Sequence, residues 1–168
     1  MKRLGLLVMA SCLLVVQAEA QVRIPRFDQY PVKVEKPRIN KIDFRRNRDA
    51  GTFRTRLAEG LAGGVNFVGR YVVVTWGCGT GCTNGAIIDT RTGRVLWPGE
   101  FYNIDASYGD GYADPILEYK KNSRLFIFHG IPGPPDENAK TPPSGDYYYE
   151  WRNNGFRRLK FVEKKSNQ

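Results

Sequence analysis

The sequence predicts a β-rich α+β fold, in which one N-terminal amphipathic helix precedes an antiparallel sheet of sequential hairpins. Two observations support this prediction. Short β-branched and aromatic segments recur after residue 70, and turn sequences separate them. Before them, Phe53, Leu57 and Leu61 recur at four-residue spacing with charged residues between them, which is typical of a helix with one apolar face.

The helix is expected over residues 52–62. Thr52 has a side-chain oxygen that can accept hydrogen bonds from the first turn, so it is the expected N-cap. Gly63 and Gly64 follow the last apolar residue and are expected to end the helix, because glycine readily adopts the backbone conformation found there. Four apolar side chains are expected to be buried in the core: Leu57, Trp76, Ile88 and Phe126.

Three hairpins are predicted after the helix, and each consists of two β-forming segments that flank a turn. The paired segments are residues 86–89 with 95–97, 116–119 with 125–128, and 147–151 with 156–159. Residues 71–76 are a further predicted strand. In the first hairpin, Gly93 occupies the turn position that requires a positive φ. Long loops over residues 99–114 and 131–145 interrupt the hairpins, and loops of this length often carry function.

Residues 1–20 have the organisation of a secretory signal peptide. Lys2 and Arg3 precede an apolar stretch over residues 4–16, and Ala18-Glu19-Ala20 supplies the small residues that signal peptidase recognises. We therefore expect a secreted or periplasmic protein with no membrane span. Lipid attachment at Cys12 is the less favoured alternative, because the apolar stretch continues beyond this cysteine.

A basic segment follows the signal peptide. Residues 21–48 contain nine Lys and Arg against three Asp and Glu, and prolines at positions 25, 31 and 37 favour an extended backbone. Such an arm could bind an anionic envelope component or an acidic protein; it could also be a solvated leader that maintains solubility. Residues 49–162 are the predicted single α+β domain, and residues 163–168 a disordered tail.

Cys78 and Cys82 remain after signal removal, and an oxidising compartment favours a disulfide between them. The flanking strands place both at the mouth of a hairpin, where opposed Cα atoms lie about 4.5–5.5 Å apart. Three residues separate them, whereas a thioredoxin-type redox pair has two. A zinc site needs four ligands, and His129 is the only histidine. We therefore predict no metal and no cofactor.

Two short motifs resemble a family of uncharacterised secreted bacterial proteins. Residues 66–71 read Asn-Phe-Val-Gly-Arg-Tyr, and residues 76–82 read Trp-Gly-Cys-Gly-Thr-Gly-Cys. The family pattern has Asn-Phe-Ala-Gly-His-Tyr before a strand, followed by a Trp-Gly-Cys-Gly-x-x-Cys turn. The resemblance extends over about residues 52–160 and departs at Val68 and Arg70. It implies a compartment and a fold, but no activity.

Candidate functional residues are polar or aromatic side chains with several possible roles. Any Ser-His-Asp arrangement must use His129. Acidic loop residues could hold calcium, although their spacing matches no calcium loop. The 147–151 strand turns Tyr147, Tyr149 and Trp151 towards the core and Tyr148 and Arg152 away from it. The candidate binding surface comprises Tyr148, Arg152, Asp105, Asp110, Asp114, Arg70 and His129.

The sequence favours a secreted, periplasmic, non-enzymatic binding or interaction protein whose ligand is left open. The lone histidine and the absence of catalytic spacing argue against an enzyme. One alternative is a cell-envelope hydrolase that uses His129. A second is an inhibitor or immunity protein that blocks an envelope-degrading enzyme. Export argues against nucleic acid as the partner.

Overall fold

The structure is a computed structural model that describes residues 23–134 and 140–165. Residues 1–20, with Cys12, lie outside this range. Strands dominate the described chain, and the prediction of a β-rich α+β fold is confirmed. The elements are α1 (Arg54–Ala62), β1 (Tyr71–Gly79), β2 (Cys82–Asp89), β3 (Val95–Leu96), β4 (Ile104–Asp105), β5 (Ser107–Tyr108), β6 (Gly111–Tyr112), β7 (Leu117–Tyr119), β8 (Leu125–Gly130), β9 (Gly145–Arg152) and β10 (Gly155–Glu163).

The strands form two four-stranded antiparallel sheets, where the sequence suggested one. The first sheet has the order β1-β2-β3, and β4 also pairs with β2. The second sheet has the order β10-β9-β8-β7, and β5 and β6 form a separate pair. A 3-10 turn at Gly99–Phe101 follows β3, and β4 then returns to pair with β2. Strands β7 to β10 pair with one another in the second sheet.

The core lies between the two sheets and continues on the outer face of the first. Alternation along β1 directs Tyr71 and Val73 towards Phe126 and Phe128 of the second sheet. Val72 and Val74 point the opposite way, towards Leu57 of α1. Leu57, Trp76, Ile88 and Phe126 are all buried, which confirms the prediction for these four residues.

Helix α1 begins later than the sequence suggests. A 3-10 turn spans Arg48–Phe53, and Phe53 occupies the N-cap position without a side-chain hydrogen bond. The expectation that Thr52 caps the helix is therefore wrong, because this residue belongs to the preceding turn. Gly63 and Gly64 end the helix as predicted, and Gly64 has a φ of 81°.

The basic arm is docked along both sheets over its described residues. Val32 N–H donates to the Asn122 carbonyl at 3.0 Å, and Glu35 N–H donates to the Gly69 carbonyl at 2.7 Å. Gly69 has a φ of 72°, and a Cβ there would collide with the backbone of Lys33. Only glycine therefore permits this approach. Further along, Ile42 is buried beside α1.

The long loops contain more order than predicted. The 99–114 loop carries the 3-10 turn and strands β4 to β6. The 131–145 loop is described only in part. In the predicted tail, Glu163 belongs to β10, and Lys164 N–H donates to the Ser144 carbonyl at 3.0 Å; residues 166–168 lie outside the described range. In the described ranges, no helix has the length and apolar character needed to cross a bilayer.

Candidate functional site

Five aromatic residues line a depression beside β1 and β3, which we call the aromatic cleft. They are Phe53, Trp76, Trp97, Phe101 and Tyr102. The Phe53 ring stacks on Trp76 with centroids 4.4 Å apart, and Trp97 lies 5.7 Å from Phe53 and 6.1 Å from Trp76. The three rings that touch one another form one aromatic surface.

The cleft is open to solvent at its mouth. It has a volume of about 310 Å³, and the residues at its rim, Trp97 and Tyr102, are 39% and 63% exposed. Its floor includes Gly85, where a Cβ would lie 2.8 Å from the Phe101 ring. Cavities lined mostly by aromatic side chains are typical of small-molecule and sugar sites, because ring faces bury apolar area without a large entropy loss.

A second depression of about 610 Å³ adjoins the cleft, and we call it the cationic groove. Asp49 and Trp97 line both depressions, so the groove and the cleft share part of their walls. Its cationic side chains are Lys41, Arg46, Arg48 and Arg94. Three of these come from the basic arm and one from the turn before β3.

Asn47 fixes the arm against this turn. Its side-chain amide donates to the Gly93 carbonyl at 3.0 Å, and its side-chain oxygen accepts from Val95 N–H at 2.9 Å. The same amide donates to the Asp43 carbonyl at 2.9 Å. The backbone on both sides of the groove is thus joined by direct hydrogen bonds.

The groove cations have few carboxylate partners. Asp43 receives a hydrogen bond from Arg45 N–H at 3.0 Å, which lowers the pKa of its carboxyl group. Arg45 and Arg46 each approach Asp43 at 3.6 Å. Among the described residues, Lys41, Arg48 and Arg94 make no ion pair within 4.0 Å. Four cationic side chains line the groove against two carboxylates, Asp43 and Asp49, so the groove keeps a net positive charge.

His129 on β8 lies between two carboxylates of neighbouring strands. Its Nδ1 is 2.7 Å from Asp146 Oδ1 on β9, and its Nε2 is 2.8 Å from Glu118 Oε1 on β7. The Tyr108 hydroxyl donates to the same Asp146 oxygen at 2.6 Å. Burial, followed by the hydrogen bond to Asp146, raises the pKa of Tyr108, so this phenol is a hydrogen-bond donor at neutral pH.

The cluster opens on a cavity of about 320 Å³ that Tyr108, Asp114, Glu118 and His129 help to line. A carboxylate on Nδ1 holds an imidazole in the orientation that general bases need. Here, however, Glu118 also contacts Nε2, so both ring nitrogens already have a carboxylate partner. Among the described residues, no Ser, Thr or Cys lines this cavity as a nucleophile.

Two of the predicted site features have structural roles. Arg70 forms an ion pair with Asp89 at 3.3 Å and donates to the Tyr71 hydroxyl at 2.7 Å, so its guanidinium is already engaged. Cys78 and Cys82 lie at disulfide-bonding distance with Cα atoms 5.1 Å apart, as the sequence predicts. They join the two strands at the tip of the β1–β2 hairpin.

Tyr148 is not available as a binding surface. Alternation places it on the outer face of the second sheet as expected, but it is only 8% exposed. Phe27 and Tyr30 of the arm pack against the cluster that contains Tyr148. Burial raises the pKa of the Tyr148 phenol. Arg152, at the end of β9, remains exposed.

The three loop aspartates do not converge. Asp105 accepts a hydrogen bond from Ser107 N–H at 2.8 Å and pairs through its backbone with Ile131. Asp110 is exposed, and Asp114 lies in the His129 cavity. Within residues 23–134 and 140–165, no group of three or more His, Cys, Asp or Glu side chains could hold a metal ion.

Comparison of the chain with protein-family models, curated proteins and solved structures gave no match. The geometry of the chain itself therefore carries the functional argument.

The sequence reasoning missed the aromatic cleft. It assigned Trp97 to a paired strand, whereas β3 ends at Leu96 and Trp97 follows it. The available signal was the Trp97-Pro98-Gly99 sequence, because proline and glycine directly after a short strand turn the chain out of the sheet. Nothing in the sequence spacing places Phe53 beside Trp76.

Proposed function

We propose that this protein is an extracytoplasmic, non-enzymatic binding protein that holds a sugar ring in the aromatic cleft. The observation that carries the proposal is the exposed pair Trp97 and Tyr102 at the mouth of a cleft floored by aromatic rings. Exposed large aromatics that cluster around a concavity favour ligand contact, since water wets them poorly. The C–H groups of a sugar face carry partial positive charge and pack well on the electron-rich face of a ring.

The signal-like residues 1–20 and the disulfide support an extracytoplasmic location. Disulfides form and persist mainly in oxidising compartments. A periplasmic or secreted protein meets the polysaccharides of the cell envelope, which present sugar rings at high density. The alternative in which a lipid on Cys12 anchors the chain to a membrane leaves the geometry of the cleft unchanged.

Binding of neutral oligosaccharides to the full mature chain tests the proposal. We expect tryptophan fluorescence and calorimetry to detect binding of cellohexaose or of an N-acetylglucosamine hexasaccharide. Trp97→Ala should weaken that binding at least tenfold, because it removes the ring shared by cleft and groove. The matched control is Tyr112→Ala, which removes an exposed aromatic outside the cleft. Equal effects of the two substitutions, or no binding to either sugar, would contradict the proposal.

A second candidate is hydrolysis of an envelope polymer at His129. The contact between Asp146 and Nδ1 favours it, because that pairing orients a general base. The contact between Glu118 and Nε2 disfavours it. Incubation with purified peptidoglycan, followed by measurement of soluble products, tests this candidate directly. Product release that His129→Gln abolishes in a folded protein would favour the enzyme; equal yields from both proteins would remove it.

A further inference from the structure

The aromatic cleft and the cationic groove lie side by side. Trp97 and Asp49 belong to the walls of both. A chain-like ligand with one ring in the cleft can extend past Trp97 into the groove. A single sugar would fill only the cleft, whereas the groove has about 610 Å³ for further units.

Three of the four groove cations, Lys41, Arg48 and Arg94, have no ion-pair partner among the described residues, whereas Arg46 lies 3.6 Å from Asp43. Elsewhere in the described chain several arginines are committed: Arg91 donates to Glu35 at 2.7 Å, and Arg157 donates to Glu150 at 2.6 Å. By contrast, Arg48 and Arg94 line the groove without an ion-pair partner in that range. Two guanidinium groups at one depression match planar carboxylates, since each can donate two parallel hydrogen bonds.

The groove is also held in shape before any ligand arrives. Asn47 joins the arm to Gly93 and Val95, and the neighbouring residues Ile42 and Ala50 are buried in the core. A pre-formed site loses less conformational entropy on binding than a mobile arm would. This bracing distinguishes the groove from a solvated basic leader.

We propose that the cleft and groove together form one site for an acidic polysaccharide, with a sugar ring in the cleft and a neighbouring carboxylate-bearing unit in the groove. This inference rests on the proposed function and adds the charge class of the ligand. It also assigns a role to part of the positive charge of residues 21–48, because Lys41, Arg46 and Arg48 line the same depression.

Two hexasaccharides that differ only in charge test the inference. The probes are cellohexaose and its uronic-acid counterpart, the β-1,4-linked glucuronate hexamer. We expect the full mature chain to bind the glucuronate at least tenfold more tightly at 0.05 M salt. That preference should diminish towards 1 M salt, where the Debye length falls to about 3 Å. An unchanged preference at high salt would overturn the electrostatic basis of the inference.

Two double variants, each of which removes two positive charges, show which arginines cause the preference for the glucuronate hexamer. Arg48→Gln/Arg94→Gln should abolish the preference for the glucuronate hexamer and weaken cellohexaose binding far less, because a neutral sugar does not depend on the two positive charges. The control, Arg56→Gln/Arg152→Gln, removes the same charge from exposed positions outside the groove and should retain the preference. Equal effects of the two double variants would overturn the inference while leaving the neutral-sugar result standing.

Two further outcomes separate the inference from its rivals. If Trp97→Ala leaves binding of both hexasaccharides unchanged, the proposed function fails, and the joint site fails with it. If inorganic polyphosphate or a single-stranded oligonucleotide of equal charge binds more tightly than the glucuronate, the groove takes phosphates and the polysaccharide assignment is overturned. Tighter binding of the glucuronate than of both competitors supports it.

Discussion

Charged side chains are paired in the second sheet, whereas several of those in the cationic groove beside the first sheet are not. In the second sheet, Glu150 accepts hydrogen bonds from Arg124 at 3.2 Å and Arg157 at 2.6 Å, and His129 contacts a carboxylate through each ring nitrogen. In the groove, Arg48 and Arg94 line the wall without such partners in the described chain.

The aromatic residues follow the same division. Tyr147, Tyr149 and Trp151 of β9 are buried in the core between the sheets, whereas Trp97 and Tyr102 face solvent. Satisfied charges and buried rings stabilise a fold, whereas free charges and exposed rings do not. The contrast therefore separates residues that support the structure from residues available to a ligand, and substitutions can test that separation.

The largest loss of stability is expected from a substitution at the buried face of the first sheet, where α1 packs. Leu57→Ala should lower the free energy of unfolding by about 2–5 kcal/mol, because it leaves a cavity where α1 packs on β1. Urea unfolding followed by tryptophan fluorescence measures this loss. Glu59→Ala, at an exposed position of the same helix, is the control and should cost far less. An unchanged midpoint for Leu57→Ala would show that α1 does not stabilise the sheet.

Glu150→Gln should cost roughly 2 kcal/mol at neutral pH, since it removes the charge that two arginines bind. Hydrogen bonds from Arg157, and then from Arg124, lower the pKa of Glu150 in the folded protein. This stabilisation is therefore present above the ordinary carboxyl pKa of 4.5 and is lost as the pH falls through the lower folded value. Urea unfolding should show a larger difference between wild type and variant at pH 7 than at pH 3. An equal difference at both would contradict the paired-charge account.

Loss of the hairpin-tip disulfide should have a smaller effect. Cys78→Ser/Cys82→Ser removes a cross-link between residues four positions apart, and so short a ring restrains the unfolded chain little. We expect a loss of about 1–2 kcal/mol, below the usual range for disulfides. Thermal unfolding of this variant and of Thr80→Ser, which leaves the bond intact, measures it. Free thiols in native protein expressed in the periplasm would contradict the pairing itself.

The smallest effect should occur at the cleft mouth. Tyr102→Ala should change the free energy of unfolding by less than about 0.5 kcal/mol, because the side chain is 63% exposed. The adjacent Phe101→Ala should cost about 3–5 kcal/mol, because Phe101 is 1% exposed. Thermal unfolding of both variants compares neighbours with opposite burial. A large loss for Tyr102→Ala would assign that ring to the fold and weaken the case for a ligand site.

Local patterns predicted the hairpins well, because strand alternation and turn chemistry act over a few residues. The turn glycine Gly93 has a φ of 75°, and the predicted core residues are buried. The second sheet exists because β8 pairs with β9, although the 131–145 loop separates these two strands in the sequence. No local pattern specifies such a pairing, so the sequence suggested a single sheet.

The candidate site was harder to predict for the same reason. Alternation correctly placed Tyr148 on the outer face of its strand, yet Phe27 and Tyr30 pack on that face from far away in the sequence. His129 was identified as a single titratable residue, but its contact with Asp146 depends on the β8–β9 register. The cleft joins Phe53 to Trp97, and only the assembled fold brings them together.

The docked arm has a consequence for the order in which the molecule is built. Ser123 donates to the Phe27 carbonyl, and Arg124 donates to the Pro31 carbonyl, across 96 and 93 positions of chain. At synthesis rates of about 5–20 residues per second, those partners emerge about 5–20 s later. Closing so long a loop also slows folding. Throughout that interval Phe27 and Tyr30 are accessible to chaperones and proteases. The arm is therefore synthesised early but is among the last segments to be covered by the rest of the fold.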